Sequence, residues 1–378
     1  MISFLSERMK GIEKTLIRRM NDMADPSCIN LGLGELRFPT PKPILDHVRE
    51  NIATWHLGYT PNEGLAELRK LIAEKSDYPI VSDQVCVTVG AEEALLAVIM
   101  VLVGSGDEVL IPDPGFPVYA SIVRMAGGTP RAYPLFREDG FRLRAENILS
   151  LVTKKTKAVI LNNPNNPSGA VYSREELKKL AEGLKDHGAM AISDEVYKEI
   201  HFQNRPDSIA CHTDRSVVIN SFSKSFCMTG WRIGWCTLPR EMAMPLASFH
   251  QLSVTCAPAI SQYAAIGALK GIADADTKRN LEELRRRRDL AMKCLDEDTD
   301  LKYVRSEGTF YIFVDISEKT AKFGNSFAIA VNLLSKEKVV AIPGSAFGRL
   351  GEGYLRLSFA AAPEHIEEGI RRLGRFLM

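Results

Sequence analysis

The sequence predicts an α/β protein with a large domain built on a mostly parallel sheet and a second, smaller α+β domain. Between about residues 84 and 240, short β-branched runs alternate with helical patterns. This alternation is typical of strands that are buried on both faces of a parallel sheet. From about residue 274 the alternation ends and a long charged helix begins. The length of 378 residues also suits a large domain plus a smaller one.

The individual elements can be placed from their apolar periodicity. In the large domain, the predicted strands are residues 84–89, 108–111, 158–161, 189–192 and 217–219. The helices predicted between them include residues 92–103 and 175–185. The C-terminal unit is predicted to contain a helix at 276–296, strands at 309–314, 339–342 and 354–359, and a closing helix from Pro363.

Charged side chains interrupt the apolar residues of the N-terminal stretch MISFLSERMKGIEKTLIRRM. A signal peptide needs an uninterrupted apolar core, so this stretch predicts an amphipathic first helix instead. We expect the N-terminal segment to pack with the C-terminal unit. The large domain would then cover residues 45–272, and the small domain would combine residues 1–44 with 273–378.

Composition excludes several classes of function. Lysine plus arginine number 48 and aspartate plus glutamate 47, so the net charge of +1 offers no field for nucleic acid or an anionic membrane. The longest apolar stretch, residues 94–103, is too short to span a bilayer. The seven cysteines are scattered and form no CxxC pair, which argues against a disulfide framework or a metal site. We therefore expect a cytoplasmic protein.

Polar residues follow several predicted strands at the point where each strand ends. The run NNPNNPSG occupies residues 162–169, and Asp194 and Tyr197 follow the next strand. Gly90 opens the helix that follows the first strand, an arrangement whose free amides suit a phosphate group. Taken alone, the first run is also compatible with a simple turn, and Asp194 with a helix cap. Together they place polar chemistry at one edge of one sheet.

Lys224 follows the strand at 217–219 and lies among serines and aromatic residues, in SFSKSFCMTGWRIGW. A lysine in a desolvated pocket has a lowered pKa and becomes a nucleophile toward carbonyl groups. A carboxylate opposite a pyridine nitrogen keeps that nitrogen protonated, and the ring then withdraws electrons. A phosphate-ready helix start, a strand-end aspartate and a buried lysine together fit pyridoxal 5′-phosphate.

The motifs SFSKSFCMTGWRIGW, NNPNNPSG and SDEVY occur in the order found in one family, and the chain resembles that family over essentially its whole length. It resembles the class I/II aminotransferases of fold type I, the aspartate aminotransferase superfamily. The resemblance implies pyridoxal 5′-phosphate as cofactor and a seven-stranded, mostly parallel sheet between helices. It also implies a homodimer whose active sites are shared across the two-fold interface.

The resemblance assigns four residues to the reactive ring of the cofactor. Lys224 is implied to form the internal aldimine and to move the proton. Asp194 would pair with the pyridinium nitrogen, and Tyr197 and Asn166 would hydrogen-bond the phenolic oxygen. These assignments agree with the independent argument from strand ends.

Further residues are implied for the cofactor phosphate and for the ring face. The residues implied to bind the phosphate are Ser221, Arg232, the backbone amides of Ala91 and Glu92, and Tyr59 of the neighbouring subunit. Phe116, in PDPGFPVY, would stack on the pyridine ring.

The substrate residues implied by the resemblance are Arg356, Asn166 and Gly34. Arg356, in YLRLSFA, would hold the substrate α-carboxylate with two parallel hydrogen bonds. The backbone of Gly34 would face the same carboxylate. Without the resemblance, Arg356 could equally be a surface arginine on an edge strand.

The implied reaction is a ping-pong transfer of an amino group from an L-amino acid to a 2-oxo acid. Lys224, displaced by the amino acid, takes the α-proton and returns it to the C4′ carbon of the cofactor. A related activity, such as a carbon–sulfur lyase, would use the same residues and would release ammonia without an acceptor. The presence of every catalytic position argues against a non-enzymatic regulator.

The amino donor is predicted from one departure from the family pattern. In one subgroup, a lysine directly after the phosphate-loop glycines pairs with the second carboxylate of a dicarboxylic substrate. Here that position is Glu92, which would repel such a group. We therefore expect a neutral or aromatic donor rather than aspartate. Arg37 is the residue that could supply a compensating positive charge.

Overall fold

Three β-sheets organise the chain in the computed structural model, which describes residues 6–9 and 11–378. The strands are β1 (Ile29–Asn30), β2 (Val85–Thr88), β3 (Glu108–Asp113), β4 (Thr129–Pro134), β5 (Thr156–Asn162), β6 (Met190–Asp194), β7 (Ser216–Ser221), β8 (Gly234–Thr237), β9 (Lys302–Tyr303), β10 (Tyr311–Asp315), β11 (Val339–Val340), β12 (Ile342–Pro343) and β13 (Tyr354–Ser358). The α-helices are α1 (Leu16–Asp22), α2 (Lys42–Asn51), α3 (Ala66–Lys75), α4 (Ala91–Leu102), α5 (Val118–Met125), α6 (Ala145–Leu149), α7 (Arg174–His187), α8 (Phe222–Ser225), α9 (Arg240–Val254), α10 (Ala259–Leu269), α11 (Asp274–Asp298), α12 (Thr320–Phe323), α13 (Ser326–Glu337) and α14 (Pro363–Leu377).

The largest sheet has seven strands in the order β2-β8-β7-β6-β5-β3-β4. Strand β8 is antiparallel to both of its neighbours, and the other adjacent pairs are parallel. Apolar residues of its inner strands, such as Ile160, Ile192 and Val217, are buried in a core that lies under helices. The predicted mostly parallel α/β architecture is confirmed.

Adjacent strands bring the polar strand ends together. In the register of the sheet, Asn162 is opposite Asp194 and Asp194 is opposite Ile219. Strand β7 ends two residues later at Ser221, where α8 begins. The residues that follow β5, β6 and β7 therefore meet at one edge, as parallel strands require.

The C-terminal unit contains a four-stranded antiparallel sheet in the order β12-β13-β10-β9. The short β1 pairs in parallel with β11, with Ile29 opposite Val339, so the N-terminal segment joins this unit. That pairing supports the division into domains at 45–272 and at 1–44 with 273–378, which stays a prediction. In the part of the chain that the structure describes, no helix has the length and apolar character needed to cross a membrane.

The seven-stranded sheet contains two strands that the sequence reading missed. Strand β4 contains two prolines, Pro130 and Pro134, and lies at an edge of the sheet, where a missing N–H is tolerated. Strand β8 begins at Gly234. This position requires glycine, because a Cβ there would lie 2.7 Å from the backbone nitrogen of Ala91. Proline and glycine are weak strand signals, which explains both omissions.

Two other predictions need correction. The strand expected at 339–342 divides at Ala341 into β11 and β12, which belong to different sheets. The predicted amphipathic first helix is an α-helix at Leu16–Asp22, while Glu7–Met9 form a short 3₁₀ helix and residues 12–15 have no regular secondary structure. The part of that prediction at residues 1–5 and 10 lies outside the described residues.

Candidate active site

A cavity of about 710 Å³ opens at the carboxyl edge of the seven-stranded sheet. Its walls come from the strand ends, from β10 and β13, and from the N-terminal segment. It is lined by eleven of the twelve residues predicted for the site, namely Gly34, Ala91, Glu92, Phe116, Asn166, Asp194, Tyr197, Ser221, Lys224, Arg232 and Arg356. At this site Arg356 bonds Gly32, which lies 324 residues away in sequence.

Lys224 lies on the short helix α8, which the chain enters directly from β7. Its Nζ donates a hydrogen bond to the carbonyl of Gly34 at 2.6 Å. Burial lowers the pKa of Lys224 to about 8, while the carboxylate of Glu35 opposes this change and Arg232 adds to it. A substantial fraction of this amine is therefore neutral near pH 8, so it can accept a proton or attack a carbonyl carbon.

Asp194 ends β6 and accepts a hydrogen bond from the hydroxyl of Tyr119 at 2.7 Å. The backbone N–H of Val196 donates to its other carboxylate oxygen at 3.3 Å. Burial raises the pKa of Asp194 to about 6, and the bond from Tyr119 partly offsets that rise. A carboxylate held this way is ionised at neutral pH and attracts a positively charged ring nitrogen.

Arg356 is 1% exposed and lies on β13. Its Nη1 donates to Oδ1 of Asn166 at 3.0 Å, and its Nη2 donates to the carbonyl of Gly32 at 2.9 Å. The guanidinium stacks 4.0 Å from the ring centroid of Tyr311, and among the described residues its Nε has no hydrogen-bond partner. A buried cation with a free N–H is arranged to receive an anion.

The opposite end of the cavity is formed by the start of α4 and by Arg232. Gly90 precedes the helix with a φ of +85°, and a Cβ there would lie 2.4 Å from Nη2 of Arg232. This close approach requires glycine. Arg232 donates to the carbonyls of Thr229 and Val89 at 2.9 and 3.3 Å. Ser221 lies beside it, and its Oγ accepts the N–H of Ser223 at 2.9 Å.

Three predicted residues have less extensive contacts within the cavity. Phe116 packs edge-to-face against Tyr119, with ring centroids 5.7 Å apart. The hydroxyl of Tyr197 lies 3.2 Å from that of Tyr311, and burial raises its pKa well above the ordinary value. Tyr59 is 83% exposed and does not line the cavity of its own chain.

Several residues of the site were missed by the sequence reading. Tyr119 lies three residues after Phe116, a spacing that places both on one side of a helix start. Tyr311 is diagonal to Arg356 in the sheet, because Arg356 is opposite Phe313. Neither pattern is specific enough to indicate a site without the structure.

The charges near the outer part of the cavity also differ from expectation. Glu92 lines the cavity, as predicted, and Glu35 lines it as well. Arg37 is exposed and does not line it, so it is not placed to compensate Glu92. Arg18 of α1 does line the cavity, together with Ile17. No sequence signal marked α1 as a wall of the site.

Comparisons with known proteins agree with this geometry. The family model described as aminotransferase class I and II matches residues 26–373. A probable aspartate aminotransferase of Methanocaldococcus jannaschii is 38% identical, over 97% of this chain and 98% of that protein. The aromatic-amino-acid aminotransferase 2 of Thermococcus litoralis is 37% identical, over 99% and 98% of the two chains.

A solved structure gives the same result for the fold. The aspartate aminotransferase from Thermus thermophilus with maleate superimposes with a TM-score of 0.93 at 31% identity, covering 99% of this chain and all of that one. These relatives are named as aminotransferases, which gives the lyase alternative no support. The protein is an aminotransferase that uses pyridoxal 5′-phosphate. With the fold, the cavity and these relatives in agreement, the chain belongs to the class I and II aminotransferase family.

Proposed function

We propose that this aminotransferase moves an amino group from a neutral or aromatic L-amino acid to a 2-oxo acid, with Lys224 as the group that moves the proton. One observation carries the proposal. A single cavity contains the Lys224 amine, with a pKa lowered to about 8, the Asp194 carboxylate and the guanidinium of Arg356. Among the described residues, neither Lys224 nor Arg356 forms a salt bridge with an acidic side chain, so both are available to a substrate.

The fit to pyridoxal 5′-phosphate is supported by the donor set. The phosphate would be held by Arg232, Ser221 and the amides of Ala91 and Glu92, beside Gly90, whose missing Cβ lets the Arg232 guanidinium approach. Phe116 would cover the ring, and Asp194 would bind its nitrogen. Tyr197 and Asn166 would bind its phenolic oxygen.

The cofactor, when bound, withdraws electrons from the α-carbon of the amino acid so that its C–H bond can break. Arg356 orients the substrate by binding the α-carboxylate with its remaining N–H groups. Nζ of Lys224 then takes the α-proton, and in the second half-reaction it gives a proton to the α-carbon derived from the 2-oxo acid. The backbone of Gly34, which already binds this amine, keeps it next to the substrate.

The donor preference is supported by two carboxylates in the cavity. Glu92 and Glu35 would both repel a second acidic group on the substrate. Arg18 brings a positive charge to the same cavity, but its side chain is 72% exposed and lies 3.4 Å from Asp22. Solvent and Asp22 screen this charge, so it compensates the two carboxylates only in part.

We also propose a homodimer in which Tyr59 of one subunit reaches the cofactor phosphate of the other. Tyr59 is 83% exposed and Leu252 87% exposed, so both side chains are accessible to a second subunit. Asn62 donates to the carbonyl of Thr255 at 2.7 Å and so joins the segments that carry them. A measured mass of one chain in solution would contradict this assembly.

A cytoplasmic location is proposed on the basis of the cysteines. All seven are unpaired in the structure. Unpaired thiols are common in proteins of reducing compartments. Fractionation of the source cells, with an antibody against the protein, would test the location.

The central test is a half-reaction on the purified protein loaded with pyridoxal 5′-phosphate. Single amino acids are added without a 2-oxo acid, and the absorbance of the cofactor is followed. We expect conversion of the aldehyde form to the amine form, fastest with aromatic or neutral amino acids, and reversal on addition of a 2-oxo acid. Aspartate as the fastest donor would contradict the proposed preference. Spontaneous recovery of the absorbance with release of ammonia would indicate a lyase.

A further inference from the structure

Side-chain amides connect Arg356 to the N-terminal helix α1 through a continuous chain of hydrogen bonds. Nη2 of Arg356 donates to the carbonyl of Gly32 at 2.9 Å, and the N–H of Gly32 donates to Oδ1 of Asn30 at 2.9 Å. Nδ2 of Asn30 donates to Oδ1 of Asn21 at 3.0 Å. Nδ2 of Asn21 in turn donates to the carbonyl of Ile17 at 2.8 Å. This series of hydrogen bonds therefore ends inside α1.

Helix α1 forms a wall of the same cavity as Arg356. Ile17, Arg18 and Asn21 all line that cavity. If the α-carboxylate binds at Arg356 and the cofactor occupies the strand ends, the substrate side chain is left to face α1 and Leu33. The two ends of the substrate would then contact two protein elements that the amide chain connects.

We propose that Asn30 is a positioning residue that holds α1 in register with Arg356 and so adjusts the pocket for the substrate side chain. This inference rests on the proposed function, because it takes Arg356 as the site of the α-carboxylate. Asn30 itself does not line the cavity and acts through Asn21 and Gly32. Its effect should therefore grow with the size of the substrate side chain.

The backbone around Asn30 is fixed independently of its side chain. The N–H of Ile29 donates to the carbonyl of Lys338 at 2.8 Å, and the N–H of Leu31 donates to that of Val340 at 3.0 Å. These bonds are the β1–β11 pairing, and they do not involve the Asn30 amide. Replacing the amide should therefore loosen α1 while the pairing between the two strands is kept.

The test compares two carboxylates that carry no amino group and cannot react, 3-phenylpropionate and propionate. Both are titrated into the cofactor-loaded protein by calorimetry, with the variants Asn30→Ala, Asn21→Ala and the double variant. A neutral hydrogen bond changes affinity by about 3- to 10-fold. We therefore expect Asn30→Ala to weaken the binding of 3-phenylpropionate by that factor. Propionate is too short to reach α1, so its binding should weaken by less than about twofold.

The double variant separates positioning from general loosening. If Asn30 acts through Asn21, the double variant should bind 3-phenylpropionate no more weakly than Asn30→Ala alone. In transamination, the KM for phenylalanine should rise by a similar factor in Asn30→Ala, with a smaller change in the KM for alanine and in kcat. Asn51→Ala is the matched control, because Asn51 donates to the carbonyl of His47 in its own helix at 2.8 Å and lies outside the cavity.

Failure of this inference differs from failure of the proposed function. Equal weakening of both carboxylates, additive effects in the double variant, or no effect of Asn30→Ala would overturn the role of Asn30 and leave the proposed function untouched. Binding of both carboxylates that persists unchanged in Arg356→Ala would show that the α-carboxylate site is elsewhere. That result would overturn both. A lower melting temperature in Asn30→Ala than in Asn51→Ala would indicate that the strand pairing is lost. In that case the same measurements on Asn21→Ala decide the inference, because this variant removes the Asn30–Asn21 bond and leaves β1 unchanged.

Discussion

Two walls of the cavity are built in different ways. The sheet wall consists of the ends of β5, β6 and β7, which are neighbours in one parallel sheet and lie over a continuous core. The N-terminal wall consists of α1 and residues 32–35, held to the rest of the site by hydrogen bonds such as those from Lys224 to Gly34 and from Arg356 to Gly32. In the proposed function, the sheet wall carries the groups for the chemistry and the N-terminal wall faces the substrate. The difference predicts that damage to the first abolishes the reaction, while damage to the second changes which substrates react.

The largest effect is expected for Lys224→Ala on the sheet wall. Under the proposed function, removing the amine eliminates the group that binds the cofactor and moves the proton, so turnover should fall by about 10⁴-fold or more. The fold should persist, because Lys224 forms no salt bridge among the described residues and bonds only a backbone carbonyl. Steady-state turnover and the melting temperature together measure both parts of this prediction.

Lys198 is a matched control for Lys224, because it is also a buried lysine. It is 5% exposed and pairs with Glu195 at 2.8 Å and Asp77 at 3.1 Å, and these two carboxylates raise its pKa. Lys198→Met should destabilise the protein by about 3 kcal/mol, since it leaves the buried carboxylate of Glu195 without its ion-pair partner. Its turnover per folded molecule should stay close to that of the parent. A chemical defect in Lys198→Met as large as that of Lys224→Ala would remove the distinction between the two lysines.

The second-largest effect is expected for Arg356→Lys, because Arg356 lies where the two walls meet. A lysine keeps the charge but cannot bind a carboxylate through two parallel N–H groups, nor bond Asn166 and Gly32 at once. Losing a hydrogen bond to a charged group weakens binding by about 10- to 150-fold. We expect kcat/KM to fall by that factor for every amino acid.

Arg288→Lys is the control for this substitution. Arg288 is 4% exposed, stacks 4.4 Å from the ring centroid of Phe202, and pairs with Asp289 outside the cavity. Its replacement should lower the melting temperature and leave kcat/KM nearly unchanged. Equal losses of kcat/KM in the two variants would indicate that Arg356 acts through packing alone.

The contrast between the walls also explains what could be predicted from sequence. Asp194 ends the apolar strand β6 and Lys224 lies three residues beyond the end of β7. Because the carboxyl ends of parallel strands share an edge, their meeting could be predicted from the chain order. The family resemblance then supplied Arg356, which periodicity alone left undecided. Arg18 and Asn21 could not be placed, because their position depends on the pairing of β1 with β11, about 300 residues away in sequence. Two-residue strands of this kind leave almost no periodic signal.

A moderate effect is expected for Tyr119→Phe, which tests how the sheet wall adjusts its carboxylate. The pKa of Asp194 is raised by burial to about 6, and the hydrogen bond from Tyr119 keeps it from rising further. Asp194 must be ionised to bind a protonated pyridine nitrogen, so the cofactor-free protein should lose affinity for pyridoxal 5′-phosphate as the pH falls through about 6. Without the Tyr119 hydroxyl, the loss should begin at a higher pH.

The measurement is the dissociation constant of pyridoxal 5′-phosphate between pH 5 and 8 for both proteins. At neutral pH, the loss of one hydrogen bond should weaken binding by about 3- to 10-fold. Tyr133→Phe provides the control, because the Tyr133 hydroxyl is buried and donates to the carbonyl of Ile160 at 2.9 Å, away from Asp194. Identical pH profiles for the parent and Tyr119→Phe would mean that this hydrogen bond does not set the ionisation of Asp194.

The smallest effect is expected for Arg18→Ala on the N-terminal wall, and it decides which arginine influences substrate charge. Arg18 lines the cavity and Arg37 does not, although both are exposed. Exposed charges contribute up to about 1 kcal/mol, so Arg18→Ala should lower kcat/KM for dicarboxylic 2-oxo acids by about 2- to 5-fold. Activity with phenylalanine should change by less than about twofold, and added salt should reduce the difference. The same selective loss in Arg37→Ala, and not in Arg18→Ala, would mean that the N-terminal wall recognises charge from outside the cavity.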